Sequence, residues 1–169
     1  MTDALSAHRH ISFTAHYTGY IWYSMGISHP VFATRKGKLL AKLVHPLESW
    51  AEKYVGGSMR TTLKQRHQMI DDHLSTLIQQ HPNLQVLEIA SGLSPRGWSF
   101  RQQYPEIDYR ELDLPDMAQM KTQALKQIDQ TSPAVLSADL FSADFARAFE
   151  VFDPNRPLVV VSEGLINYF

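Results

Sequence analysis

LQVLEIASGLSPRG, residues 84–97, reads as a buried strand, a tight turn and the start of a helix. Val86, Leu87 and Ile89 are apolar and mostly branched, which suits a central strand covered on both faces. Glu88 interrupts that run near its end. Ala90, Ser91 and Gly92 are small and leave room for another group to approach the backbone, and Gly92 takes a positive φ without steric cost. Pro95 suits the first turn of the following helix, where its missing N–H is no loss. Ligands of open α/β sheets bind beyond the carboxyl ends of the strands, so residues 88–92 are where a small ligand is expected. An ordinary strand-to-helix turn explains the same residues equally well. A full GxGxxG needs three glycines, and only Gly92 and Gly97 stand here.

Downstream, strand and helix patterns alternate. WSFRQQYP reads as a helix that ends before Pro105, and IDYRELDLP as a strand on which Tyr109, Glu111 and Asp113 share one face. Asp113 lies some 20 residues past Gly92, the spacing at which a nucleotide-binding sheet places an acid for ribose hydroxyls. It reads equally as a loop acid capping the next helix. That helix is predicted over Met117 to Ile128, followed by a short strand, AVLSADL. Asp139 closes this strand and suits either an adenine amino group or a cap for a helix around Phe141 to Phe149. Leu158 to Val161 is the most apolar run in the chain, and Glu163 and Gly164 follow it. Four predicted strands thus end near acids: Glu88, Asp113, Asp139 and Glu163. Acids recurring at the carboxyl ends of a parallel sheet describe a cofactor crevice.

Upstream of His81-Pro82-Asn83 the pattern is helical. Ile11 to Gly26 is rich in aromatics. Tyr17, Tyr20, Trp22 and Tyr23 suit either the lining of an acceptor pocket or, more commonly, packing. Phe32, Leu39, Leu40, Leu43 and Val44 give a second stripe up to His45-Pro46, and Leu47 to Tyr54 a short third one, closed by Gly56-Gly57. Ser58 is a candidate N-cap for a helix whose face is Met59, Leu63, Ile70, Leu74 and Leu77. Arg66 sits on that apolar stripe. A guanidinium there must pair internally, reach out to water, or grip a ligand carboxylate with two parallel hydrogen bonds. Two parts are therefore expected: a helical cap over residues 1–80 and a parallel α/β half-domain over 81–169.

Composition bounds the function. At 169 residues the chain holds roughly one domain with a substantial core. The formal net charge of −1 offers nothing to nucleic acid. No segment approaches the about 18 apolar residues of a membrane span. The start, MTDALSAHRH, lacks the apolar stretch of a secretory signal, and cysteine is absent. A cytoplasmic location is expected. Residues 1–80 carry nine basic and five acidic side chains, and residues 81–169 seven and twelve, so the two parts differ in charge. HRH at residues 8–10 lacks a clean metal-ligand spacing and reads as solvated, so no metal is expected.

QRHQMIDDHL, VLEIASGLSPRG, YRELDLP, SADL and VVVSEGLINYF together resemble the class I S-adenosylmethionine-dependent methyltransferases. The closer resemblance is to the branch of leucine carboxyl methyltransferases and O-methyltransferases of polyketide synthesis, from about Ile11 to Phe169. It implies S-adenosylmethionine as cofactor and a small-molecule acceptor methylated on a carboxylate or hydroxyl. It implies that Arg66 grips the methionine carboxylate and that Glu88 and Gly92 form the turn under the cofactor. It likewise implies that Asp113 takes the ribose, that Asp139 and Leu140 stand beside the adenine, and that Glu163 lies near the methionine end. Ala90 departs from the family, which usually has glycine there. No general base can be named.

The family sheet has the order 3-2-1-4-5-7-6, and this sequence supplies strands 1 to 4. The Leu158–Val161 strand is then expected at an edge, open to a complementing C-terminal fragment or a second copy of the chain. The expectation is a shortened or split methyltransferase. Two other readings compete: a non-catalytic cofactor-binding remnant and a nicotinamide-dependent oxidoreductase. The latter is disfavoured by the missing glycines and by the lack of a role for Arg66.

Overall fold

The strand expected within residues 84–89 forms as β1 (Gln85–Ile89) in the computed structural model, which describes residues 2–55, 59–129 and 135–165. It lies between two parallel neighbours, β2 (Asp108–Asp113) and β4 (Leu158–Ser162), and β3 (Leu136–Ser137) pairs with β2. The sheet order is β3-β2-β1-β4. This is a Rossmann-like parallel α/β sheet. The chain runs outward from β1 to β3 and then returns to the other side of β1, so β1 and β4 flank the switch point at which such sheets bind ligands.

The two faces of the sheet follow from the alternation of side chains along each strand. Val86, Tyr109 and Val161 form a core with Leu74 and Ile78 of α3 (Met59–Gln80) and Phe100 of α4 (Arg96–Gln103). Leu87, Leu112 and Ala138 pack on the other face with Ala148 and Phe152, at and beyond α6 (Asp144–Arg147). Of the apolar stripe predicted on α3, Ile70, Leu74 and Leu77 dock on the sheet, whereas Leu63 packs against α1 and α2 and Met59 is exposed. α5 (Pro115–Leu125) packs its Met117, Ala118, Ala124 and Leu125 with Phe32 and Leu93. Its first residue is Pro115, which needs no amide partner there.

Three boundaries differ from the sequence reading. α2 (Arg35–Val55) runs unbroken through Pro46, where a division was expected. Proline removes one intrahelical bond, to the Lys42 carbonyl; Lys42 is exposed, so water can satisfy that group. α5 ends at Leu125, and residues 126–128 form turns instead. β3 has two residues, both paired with the end of β2. Ser58 and Gly56-Gly57, proposed as cap and closure, lie outside the described residues. No helix among the described residues is long and apolar enough to cross a membrane.

α1 (Thr2–Ser24) lies on α2 and also across the turn that follows β1. Tyr17, Ile21, Leu40 and Ala41 hold the two helices together. On its other side α1 brings Ala15 against Gly92 and Gly19 against Leu93. A Cβ on Gly92 would stand 3.2 Å from the Ala15 Cβ, and one on Gly19 would stand 2.8 Å from the Leu93 Cβ. Small residues at these positions let the helix roof the carboxyl end of the sheet.

Candidate functional site

The turn after β1 is held by one peptide unit. The Gly92 N–H donates to Asp113 Oδ2 at 2.6 Å, and Lys121 Nζ lies 3.4 Å from the Ser91 carbonyl. These are the two ends of the Ser91–Gly92 peptide, so β2 and α5 fix its plane between them. Asp113 Oδ1 also accepts the Leu114 N–H at 2.8 Å. Burial pushes the Asp113 pKa up, and the two amides and Lys121 only partly offset it. Ala90 sits at φ +51 and Gly92 at φ +50. Glycine accepts that region freely, whereas alanine is strained there by about 1–2 kcal/mol. Alanine at residue 90 therefore stores strain in the turn.

Beneath the turn, Lys121 is fully buried and ion-paired with Glu111, which also accepts Arg101 at 3.1 Å. Gly97 exists to let that carboxylate in: a Cβ there would overlap the Glu111 carboxyl carbon.

At the switch point, a second cluster joins α3, α4, β1, β2 and the end of β4. Arg96 opens α4 with none of its side chain exposed. Its Nη1 donates to Glu88 at 2.8 Å, its Nη2 to Glu163 at 2.7 Å, and its Nε to Asp71 of α3. Glu88 also accepts the Tyr109 hydroxyl at 2.9 Å. Glu163, just past β4, accepts Arg66 Nε at 3.0 Å. His67 Nδ1 stands 2.8 Å from Glu163 Oε2 and 2.7 Å from Arg96 Nη2. A protonated Nδ1 donates to the carboxylate and a bare one accepts from the arginine, so the tautomer selects the bond.

Charge explains the ionisation of this cluster. Burial alone would raise Glu163, but the His67 hydrogen bond and the Arg96 charge outweigh it and lower the pKa to about 2. Burial likewise opposes ionisation of Glu88, yet Arg96, Lys121 and the Tyr109 hydroxyl hold its pKa below the ordinary value. Arg96 is itself raised, since Glu88 and Asp71 outweigh its own desolvation. Asp71 goes up because burial exceeds what Arg96 and His67 return.

The residues singled out in the sequence fall into three places. Arg66, Glu88 and Glu163 meet in the switch-point cluster. Ala90, Gly92 and Asp113 form the turn beside it. Asp139 and Leu140 stand beyond β3: Asp139 Oδ1 accepts the Phe141 N–H at 2.9 Å, and Leu140 packs in the core on the far face. Asp139 thus caps its own turn in the structure described. Glu88 is sealed, with both oxygens engaged by Arg96 and Tyr109. Arg66 is the most open member, with 39% of its side chain exposed. Sequence reasoning missed Arg96, His67, Asp71 and Lys121. The one available signal was an arginine directly after Pro95, at the helix start beyond the turn.

The leucine carboxyl methyltransferase family matches residues 29–169. The tetracenomycin polyketide synthesis O-methyltransferase TcmP of Streptomyces glaucescens is 27% identical over 104 residues, which is 61% of this chain and 36% of that protein. The alignment therefore spans about a third of that relative's length. No solved structure matches.

Proposed function

The chain belongs to the leucine carboxyl methyltransferase family, and from that premise we propose that it serves S-adenosylmethionine-dependent O-methylation of a carboxylate or hydroxyl on a small molecule. The observation that carries the reading is the Arg66–Glu163 pair at the switch point, beside the Gly92 turn. A half-exposed cation against an ionised carboxylate is complementary to a zwitterion, and the amino-acid end of the cofactor is one. Family membership favours this over the nicotinamide-dependent reading.

The residues present fit the cofactor. The Ser91 hydroxyl is buried at the turn with no partner among the described residues, and Gly92 keeps the turn free of a side chain. In this reading Arg66 holds the methionine carboxylate, Glu163 the amino group, Asp113 the ribose, and Asp139 and Leu140 the adenine side. When bound, S-adenosylmethionine supplies a methyl group already activated by its sulfonium. The chain's own tasks are then to align the acceptor and to exclude water. α1 roofs the turn for the second task. Asp113 and Lys121 serve the first by fixing the Ser91–Gly92 peptide. A carboxylate acceptor is ionised at neutral pH and needs no base.

The partner in this proposal is a further strand, from a complementing C-terminal fragment or a second copy, paired with β4. That strand is the sheet's edge among the described residues, and Val160 on it is 47% exposed. The test is transfer of labelled methyl from S-adenosylmethionine to a panel of carboxylic acids and phenols, with and without such a fragment. Labelled ester or ether that disappears in Arg66→Met supports the reading. Transfer that is unaffected by Arg66→Met refutes the assignment of the site.

A further inference from the structure

α1 faces the turn with a regular stripe: Ala15 on Gly92, Gly19 on Leu93 and, one further step along, Trp22. The Trp22 ring lies 5.2 Å from the His67 ring, and His67 in turn contacts Glu163. The stripe therefore begins over the glycine turn and ends at the Arg66–Glu163 side of the switch point. Trp22 is 6% exposed, and its Nε1–H is buried with no hydrogen-bond partner among the described residues.

An indole nitrogen only donates, and a buried donor left alone carries a desolvation cost. A tryptophan kept only for packing would be better replaced by phenylalanine, which fills similar space without that cost. The His67 ring nitrogens offer no relief: Nδ1 faces Glu163 and Arg96, and Nε2 lies 3.6 Å from Asp71. The donor thus stands beside a cluster whose acceptors already have partners, one residue, His67, removed from Glu163 and its partner Arg66.

We propose that the Trp22 indole N–H is a ligand donor to the carboxylate at the amino-acid end of the bound cofactor, beside Arg66. The assignment rests on the methyltransferase reading above. A carboxylate is the group on that end which only accepts, so it suits both a guanidinium and an indole N–H. Trp22 is then a binding residue supplied by the N-terminal helix, and it ties the roof to the occupied site.

The test uses the full chain labelled with 15N and two probes. S-adenosylhomocysteine carries the amino-acid end; 5′-methylthioadenosine shares the adenosine and thioether but lacks it. The chain has three tryptophans, so three indole N–H signals are expected. Trp22→Phe identifies the signal of Trp22, or Trp50→Phe and Trp98→Phe identify it by elimination if that variant does not fold. The expected result is a downfield shift of the Trp22 signal with S-adenosylhomocysteine and none with 5′-methylthioadenosine. Trp22→Phe should then weaken S-adenosylhomocysteine about tenfold and leave 5′-methylthioadenosine unchanged. S-adenosylhomocysteine that binds while the Trp22 signal stays in place overturns this assignment alone. A folded chain that binds neither probe overturns the methyltransferase reading, and this assignment with it.

Discussion

Arg96 carries a charge with no exposed side-chain surface, and its three carboxylate partners come from α3, β1 and the end of β4. Removing one member of such a buried cluster costs more than the cluster is worth, because the remaining charges lose their compensation. Glu163→Gln should therefore destabilise the chain by about 3 kcal/mol, measured by urea unfolding at neutral pH. The pH dependence has a definite sign. Glu163 is lowered from 4.5 to about 2, so its contribution is fully present above 4.5 and is lost as pH falls through 2. Unfolding curves of the wild type should lose stability across that window, and Glu163→Gln should flatten the loss. Equal slopes in both proteins would show that Glu163 is not held as described. At the turn, Ala90→Gly should relieve the strain at φ +51 and stabilise the chain by up to about 1 kcal/mol in urea unfolding, whereas Ala90→Leu keeps the strain, adds crowding and should destabilise it.

α4 gives a sharper contrast. Gly97 lies in its first turn, and helix propensity alone predicts that Gly97→Ala stabilises the chain by about 1 kcal/mol. The structure predicts the reverse. The new methyl group would collide with the Glu111 carboxylate, which is buried and held by Lys121 and Arg101. Overpacking against an immobilised ion pair should cost about 2 kcal/mol or more, read from thermal and urea unfolding. A stabilised Gly97→Ala would mean that α4 and β2 do not approach this closely. β4 is the other element with a distinct expectation. Its Val160 lies half exposed on the strand that is the sheet's edge among the described residues, and an edge strand invites pairing with another chain. Val160→Lys should lower self-association in sedimentation while leaving stability within about 0.5 kcal/mol.

Over the whole molecule, local pattern carried the sheet and distance hid the cluster. β1 was legible because Val86, Leu87 and Ile89 show strand chemistry and Gly92 marks the turn at its end. Four strands, their parallel alternation with helices and the acids at their ends followed from the same local signals. Arg96 was not legible, because its bond to Glu163 joins positions 67 residues apart and no periodicity announces it. The same holds for Lys121, 30 residues from the Ser91 carbonyl it supports. Pro46 misled because proline usually ends a helix, whereas the packing of α2 on α1 outweighs one missing bond. Asp113 shows the remaining gap. Its spacing from Gly92 pointed to a ribose, and the structure places it on the turn's Gly92 amide and on the Leu114 amide that follows it. Both roles are served if the carboxylate that shapes the turn also meets the ligand lying on it. The most direct measurement is calorimetric titration of the purified chain with S-adenosylhomocysteine, using Asp113→Ala and Arg66→Met as controls. One binding site in the wild type, weakened at least about tenfold in each variant, is the predicted result. A folded wild-type chain that releases no heat and shows no ligand-induced rise in Tm would contradict the account.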